Sequence, residues 1–359
     1  MKLKIFSLLC MFSLLISCAK DENPGNGGNN NVPSQIPEFC ATFTTGNQYS
    51  FRKAYSYTDG VTTLLQDEGR YIYTNDAAIS PDGEVVITGC QCDKPYQVQS
   101  HYLDSCRLIV FRDGVKQILS AESFFRPSKA KVEITSGGDE YIAGTENNLT
   151  SLNDYIVLWK NGIKQQVTSS STHSELYDFC VSGNDILMVG KSNSNGASTA
   201  PSKATYWLNG NGTDLTDGTS EAEANSIAIS GNDIYISVKD GSTHKLFKNG
   251  IMQSLPADVN FIHDICTSGS DVYVLADKTG AGPGVLKNGT WLYQLNYSQP
   301  YTFMNATSIF TKNNTVFVSA TGTSPAGEEA VIFRDGNFLY ALGSPGVITS
   351  VEGIFYSGN

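Results

Sequence analysis

Long apolar runs are missing from all but the start of this 359-residue chain. Past the first twenty positions no stretch of about 18 apolar residues occurs, which excludes an internal membrane-spanning helix. Basic residues are scarce: 24 Lys and Arg face 35 Asp and Glu, for a formal charge of −11. Binding to nucleic-acid phosphates needs concentrated Lys and Arg, so no nucleic-acid partner is expected. Charged residues make up only 16 % and apolar residues 40 %, a balance too apolar for a disordered chain. Motifs that carry chemistry are lacking too. The chain has no His-Glu-x-x-His, no Gly-x-Ser-x-Gly, no Gly-x-x-x-x-Gly-Lys and no Cys-x-x-Cys. Its four histidines (His101, His173, His244 and His263) fall on or beside predicted loops and are dispersed along the chain.

Turn formers and aromatics are abundant instead, with 34 Gly, 12 Pro, 18 Tyr and 17 Phe. Together with many β-branched residues, they point to an all-β fold.

The N-terminus reads as an address. Lys2 and Lys4 precede a short apolar stretch, Ile5 to Ile16, which ends in Leu15-Ile16-Ser17-Cys18. A basic start and an apolar segment too short to span a bilayer make a secretory signal over residues 1–17. The box before Cys18 resembles that of bacterial lipoproteins, which implies acylation of Cys18. Lys20-Asp21-Glu22 resembles the surface-export signal of Bacteroidota-type lipoproteins. Residues 18–39 then read as a lipidated Cys and a flexible tether, since Asn23 to Ser34 holds almost nothing to bury. The expected location is the outer membrane, exposed at the cell surface and attached through the lipid alone.

Residues 40–359 repeat one unit. An apolar or aromatic residue, a basic or polar residue, Asn or Asp, and Gly recur at Phe111-Arg112-Asp113-Gly114, Trp159-Lys160-Asn161-Gly162, Trp207-Leu208-Asn209-Gly210, Phe247-Lys248-Asn249-Gly250, Leu286-Lys287-Asn288-Gly289 and Phe333-Arg334-Asp335-Gly336. A weaker copy stands at Tyr57-Thr58-Asp59-Gly60. Between them falls a second motif, as in Ser182-Gly183-Asn184-Asp185 and Ser230-Gly231-Asn232-Asp233, each followed by alternating apolar residues. Both read as tight turns, and Asn-Gly and Asp-Gly are the favoured two-residue hairpin turns. Each unit is therefore four strands, a to d, and a period near 45 residues of this kind marks a β-propeller. Six units are complete. Strands a and b expected from Val347–Gly358, and c and d from Gln48–Leu65, make a seventh blade from the two termini. The repeat resembles that of bacterial lipoprotein propellers with Tyr-Trp-Lys-Asn-Gly-type repeats, best at Ala204-Thr205-Tyr206-Trp207-Leu208-Asn209-Gly210, where Leu208 replaces the Lys. The resemblance implies fold and address and no established activity.

The a–b and c–d turns form one plain face. The b–c and d–a loops are expected to be long and to carry function. They include Gln91–Ser105, Ala121–Lys129, Lys191–Lys203, Thr216–Asn225, Asn296–Asn305 and Thr321–Glu329. Their aromatics, Tyr96, Tyr102, Phe124, Phe125, Tyr297 and Tyr301, are candidate platforms for sugar rings or protein partners. Trp159 and Trp207 are expected in the core. Asp76, Asp178 and Asp264 hold one slot of strand a and so should face the central channel. Such carboxylates suit Ca²⁺ or polar ligand groups, or simply accept hydrogen bonds from a neighbouring blade. No calcium-loop motif is present, so no cofactor is expected, with Ca²⁺ the alternative. Among the cysteines, Cys180 and Cys266 read as buried thiols. Cys40, Cys90, Cys92 and Cys106 are disulfide candidates, with Cys92–Cys106 stapling a loop, or Cys90–Cys106 with Cys40–Cys92. Metal binding by this group is not expected. The functional expectation is a non-catalytic binding or scaffold module for a glycan or an envelope or extracellular protein. A carbohydrate-active hydrolase or lyase and a purely structural envelope component are the alternatives.

Overall fold

A computed structural model describes residues 40–45, 53–58, 61–66, 71–92, 106–120, 130–148, 150–151, 153–193, 201–342 and 349–355. Cys18, the tether, His101, Tyr96, Tyr102, Phe124 and Phe125 lie outside them. The described residues form seven four-stranded antiparallel sheets. In chain order, β1 (Cys40–Thr45), β2 (Lys53–Thr58) and β3 (Val61–Gln66) come first. Blade 1 is β4 (Tyr71–Ile79), β5 (Val85–Cys92), β6 (Cys106–Arg112) and β7 (Val115–Ile118). Blade 2 is β8 (Lys131–Ile134), β9 (Glu140–Asn148), β10 (Asn153–Lys160) and β11 (Ile163–Gln166). Blade 3 is β12 (His173–Ser182), β13 (Asp185–Asn193), β14 (Lys203–Leu208) and β15 (Asn211–Asp214). Blade 4 is β16 (Ala222–Ser230), β17 (Asp233–Asp240), β18 (Thr243–Lys248) and β19 (Ile251–Gln253). Blade 5 is β20 (Val259–Ser268), β21 (Asp271–Lys278), β22 (Gly282–Lys287) and β23 (Thr290–Gln294). Blade 6 is β24 (Phe303–Lys312), β25 (Thr315–Ser324), β26 (Gly327–Arg334) and β27 (Asn337–Ala341). The remaining sheet, blade 7, has the order β28-β1-β2-β3, with β28 covering Thr349–Phe355. The innermost strands β4, β8, β12, β16, β20, β24 and β28 touch one another in succession. The fold is a seven-bladed β-propeller.

Blade 7 differs from the expected two-and-two division. Its strand b is Cys40–Thr45, so three of its strands come from the N-terminal side and a single strand from the C-terminal side. Thr349–Phe355 runs as a single strand along β1, where the two strands a and b were expected. A second correction concerns Thr321–Glu329. Strands β25 and β26 pair right up to Ser324 and Gly327, leaving only a tight turn where a long loop was expected.

The repeated motifs work as joints between the two turns of a blade. Asn161, Asn209, Asn249 and Asn288 have φ of 49–51°, and each following glycine has φ of 76–82°, the left-handed pair a two-residue hairpin turn requires. Each Asn side chain then reaches the start of strand b. Its Oδ1 accepts the N–H of Glu140, Ile186, Ile234 or Val272, and its Nδ2 donates to Asp139, Asp185, Asp233 or Asp271. In three blades the basic residue of the motif, Lys160, Lys248 or Lys287, pairs with that same Asp and lies over the ring of Tyr141, Tyr235 or Tyr273.

The core lies between blades. Alternate residues of each strand face the neighbouring sheet, and seven apolar clusters fill the seven interfaces. Trp159 and Trp207 are 3 % and 4 % exposed, as core residues should be. Cys92 and Cys106 form a disulfide, so the alternative pairing is set aside. Cys40, Cys90, Cys180 and Cys266 keep their thiols, and burial pushes the Cys180 and Cys266 thiols up.

Candidate functional site

Strand a carries a β-bulge at one position in five blades. The register shifts just before Asp76, Asp178, Ser226, Asp264 and Ser308. A bulge re-aims the next side chain. Here it turns the carboxylates toward the adjacent blade, where they accept backbone hydrogen bonds. Asp76 Oδ2 accepts Val132 N–H at 2.9 Å, and Asp178 Oδ2 accepts Ile227 N–H at 3.0 Å. Asp264 Oδ2 accepts Ile309 N–H at 3.0 Å, while its Oδ1 accepts the Ser226 hydroxyl at 2.6 Å. Glu133, on β8, accepts Val181 N–H at 2.7 Å. These carboxylates stitch blade to blade, the plainer of their two expected roles.

A lysine stands where a cation would. Lys131 Nζ is 3.7 Å from Asp178 Oδ1. Burial disfavours its charge, but the Asp76, Asp178 and Asp264 carboxylates outweigh that and hold the ammonium above its ordinary range. Burial, added to by the Asp178 charge and offset by Lys131, raises Asp76 to about 7. Burial raises Glu133 to about 8. With one oxygen of each carboxylate already bonded to an N–H and an ammonium among them, this donor set does not fit Ca²⁺.

The face that carries the b–c and d–a connections holds a richer arrangement over blades 2 to 5. Asp154, fully buried, accepts from Asn147 Nδ2 at 2.7 Å and donates its backbone N–H to His173 Nδ1 at 3.3 Å. That assigns the His173 proton to Nε2, which faces Glu175 Oε1 at 3.2 Å. Asp154, His173 and Glu175 bring possible ligand atoms within 4.8 Å of one another. The two carboxylates lie against opposite nitrogens of one imidazole, however, and Nδ1 is occupied by an N–H, so the trio fits a hydrogen-bonded relay better than a metal centre.

Glu175 continues to Lys191 at 3.9 Å, and Lys191 to Glu221 at 3.4 Å. Tyr177, the bulge residue of β12, donates its hydroxyl to Glu223 Oε2 at 2.8 Å, and Glu223 lies 3.6 Å from Lys239. Burial, then the Glu223 charge, raises the Tyr177 phenol and keeps it a donor. Three rings follow. His244 and Phe261 have centroids 4.3 Å apart, Phe261 and His263 4.7 Å. His263 Nε2 bonds Asp277 Oδ1 at 2.9 Å, and His244 Nδ1 accepts Ile262 N–H at 3.3 Å. Burial, with the Lys239 and His263 charges, lowers the His244 pKa, so this ring is neutral at neutral pH. The hydrogen-bond partners of the three described histidines are thus backbone amides and carboxylates.

Comparison with known proteins adds the fold and little more. No family model and no curated protein matches the chain. Among solved structures it is similar to a puromycin hydrolase, with TM-score 0.59 and 11 % identity over 87 % of this chain and 54 % of that one. The chain thus spans about half the length of that enzyme. It is also similar to the β-propeller domain of the Trilobed protease from Pyrococcus furiosus, with TM-score 0.54 and 9 % identity over 87 % of this chain and 96 % of that one. At such identities the shared property is the propeller fold alone.

Of the aromatic candidates inside the described residues, Tyr297 and Tyr301 pack against the blade 5–6 core. Tyr301 also donates its hydroxyl to Glu329 at 2.6 Å, and its ring lies tilted beside that of Phe338, with centroids 5.8 Å apart. The platform of His244, Phe261 and His263 escaped the sequence reading, which saw dispersed histidines. A signal was there: Glu175, Glu223 and Phe261 each precede the slot of Asp178, Ser226 and Asp264 by three residues. Equal register on strand a places all three at one level of the ring.

Proposed function

We propose that the protein is a non-catalytic, lipid-anchored envelope module that binds a glycan through the loop-bearing face of its propeller. The observation that carries this reading is the row of His244, Phe261 and His263 rings, flanked by Glu223, Lys239 and Asp277. The adjacent rings, tilted by 47° and 50° to one another, offer apolar contact to the C–H groups of a sugar, and the flanking carboxylates and ammonium match its hydroxyls. Anchorage at the outer membrane through Cys18 rests on the signal and box of the first eighteen residues. The Cys92–Cys106 disulfide supports an oxidising compartment.

Thermal melting of the full chain across a polysaccharide panel, with and without Ca²⁺, tests it. A ligand at 100 times its Kd adds about 2.7 kcal/mol and raises the midpoint by a few degrees. One polysaccharide should give that shift, Ca²⁺ should leave it unchanged, and Phe261→Ala should remove it. Silence across the whole panel would reject the glycan and turn attention to a protein partner, sought by crosslinking on intact cells. Release of reducing ends from the bound polysaccharide would show turnover and reject the non-catalytic reading.

A further inference from the structure

Blade 3 breaks the pattern of its neighbours at the outer rim. Six outer strands each present an exposed apolar side chain: Val61, Val115, Ile163, Ile251, Leu292 and Phe338. The outer strand of blade 3, Asn211–Asp214, has none. The difference deepens at the second residue of that strand, which pairs across to the aromatic slot of strand c. Lys116 covers Phe111 there, Lys164 covers Trp159, Met252 covers Phe247 and Phe338 covers Phe333. In blade 3 the partner of Trp207 is Gly212. A Cβ at Gly212 would stand 2.9 Å from the Trp207 indole nitrogen. With no side chain at that point, a groove of about 580 Å³ opens between the face of blade 3 and the Val167–Thr172 segment of blade 2.

The groove is polar and its polar groups are linked. Lys203 Nζ donates to Asp214 Oδ2 at 2.8 Å, Thr205 donates to Asp214 Oδ1 at 3.1 Å, and the Thr205 and Ser192 hydroxyls are 2.8 Å apart. Trp207 lies at the floor. Among the described residues no hydrogen bond uses its indole N–H, whereas the Trp291 N–H donates to Asp258 at 2.9 Å. Asp217 lines the groove as well, so two carboxylates face one ammonium and a phosphate or sulfate is disfavoured. An apolar peptide finds no apolar pocket. An added strand would need the free edge of β15, whereas the groove lies on the face of the sheet. What fits is a neutral ligand that both donates and accepts at many points.

We propose that this groove between blades 2 and 3 is a second, lateral saccharide site, seating a short neutral oligosaccharide on Lys203, Asp214 and the Trp207 N–H, with the buried Thr205 hydroxyl holding Asp214 in position. The choice of a sugar leans on the glycan reading above; the site itself is distinct from the ring platform. Calorimetric titration of the full chain with maltotriose, cellotriose, xylotriose, chitotriose and mannotriose tests it. At least one should give a saturable isotherm. Thr205→Val and Asp214→Ala should each weaken it roughly tenfold, and Phe261→Ala should leave it unchanged. Thr205 is buried, so if Thr205→Val melts early, the exposed Asp214→Ala decides alone. Binding that survives both groove variants and is lost in Phe261→Ala overturns the lateral site and keeps the platform. No isotherm with any of the five overturns the lateral site, while the polysaccharide melts judge the platform separately.

Discussion

Lys131 sets the balance of charge on the channel side of strand a. It lies beside Asp178 and within the fields of Asp76 and Asp264. Lys131→Met would leave those carboxylates without their cation. Removing one partner of a buried pair costs about 3–5 kcal/mol, and the 29 % exposure of the lysine side chain lowers the expectation to roughly 2. Equilibrium urea unfolding at pH 7 checks this. The pH dependence has a definite sign. Asp76 moves from 3.8 to about 7 and Glu133 from 4.5 to about 8, so between those limits the folded state holds protons that the unfolded chain has released. Their contribution is complete below about pH 4 and is lost as pH rises through 7 and 8. The protein should therefore unfold at lower urea at pH 9 than at pH 5.5, and Asp76→Asn with Glu133→Gln should flatten the difference. A midpoint that climbs steadily from pH 5.5 to 9 in the parent would refute both assignments.

At the scale of the element, the joint made by the Asn-Gly turn explains why the repeat could be read from the sequence. Asn249 meets three demands at once: φ of 51°, an acceptor for Ile234 N–H and a donor to Asp233. Few residues meet all three, so the motif recurs visibly. Asn249→Ala should cost about 1–2 kcal/mol through the turn conformation and the lost bonds. Gly250 has φ of 76° and open space where a Cβ would stand, so Gly250→Ala should cost about 1 kcal/mol through backbone conformation alone. Thermal melts of the two variants would separate these contributions. Other elements were less legible. Gly322-Thr323-Ser324-Pro325-Ala326-Gly327 has the composition of a loop, yet it is mostly strand, because backbone pairing continues where the side chains give no alternation. The ring platform was hidden for a different reason. His244 and His263 come from strands c and a of successive blades, and a spacing of 19 residues does not show that Phe261 stands between them.

At the scale of the molecule, six blades were legible because each is one continuous stretch, and the seventh was less so because it is not. Cys40–Thr45 carries neither repeated turn, so nothing in its sequence marks it as a strand b. Its role comes from pairing with β2 on one side and β28 on the other. That arrangement makes a prediction about how stability is shared. In an open array each repeat leans only on its neighbours, and losing the last one loosens the end. Here β28 also touches β4 and β24, the inner strands of blades 1 and 6. Deleting residues 347–359 bares the inner edge of β1 and takes away its packing on both neighbouring blades together. The expected result is one cooperative transition at lower temperature, with faster amide exchange even in β13 and β14 of blade 3, across the ring from the deletion. Exchange that quickens only in blades 6, 7 and 1 would show that the blades hold their stability separately and that β28 is no more than a local strand.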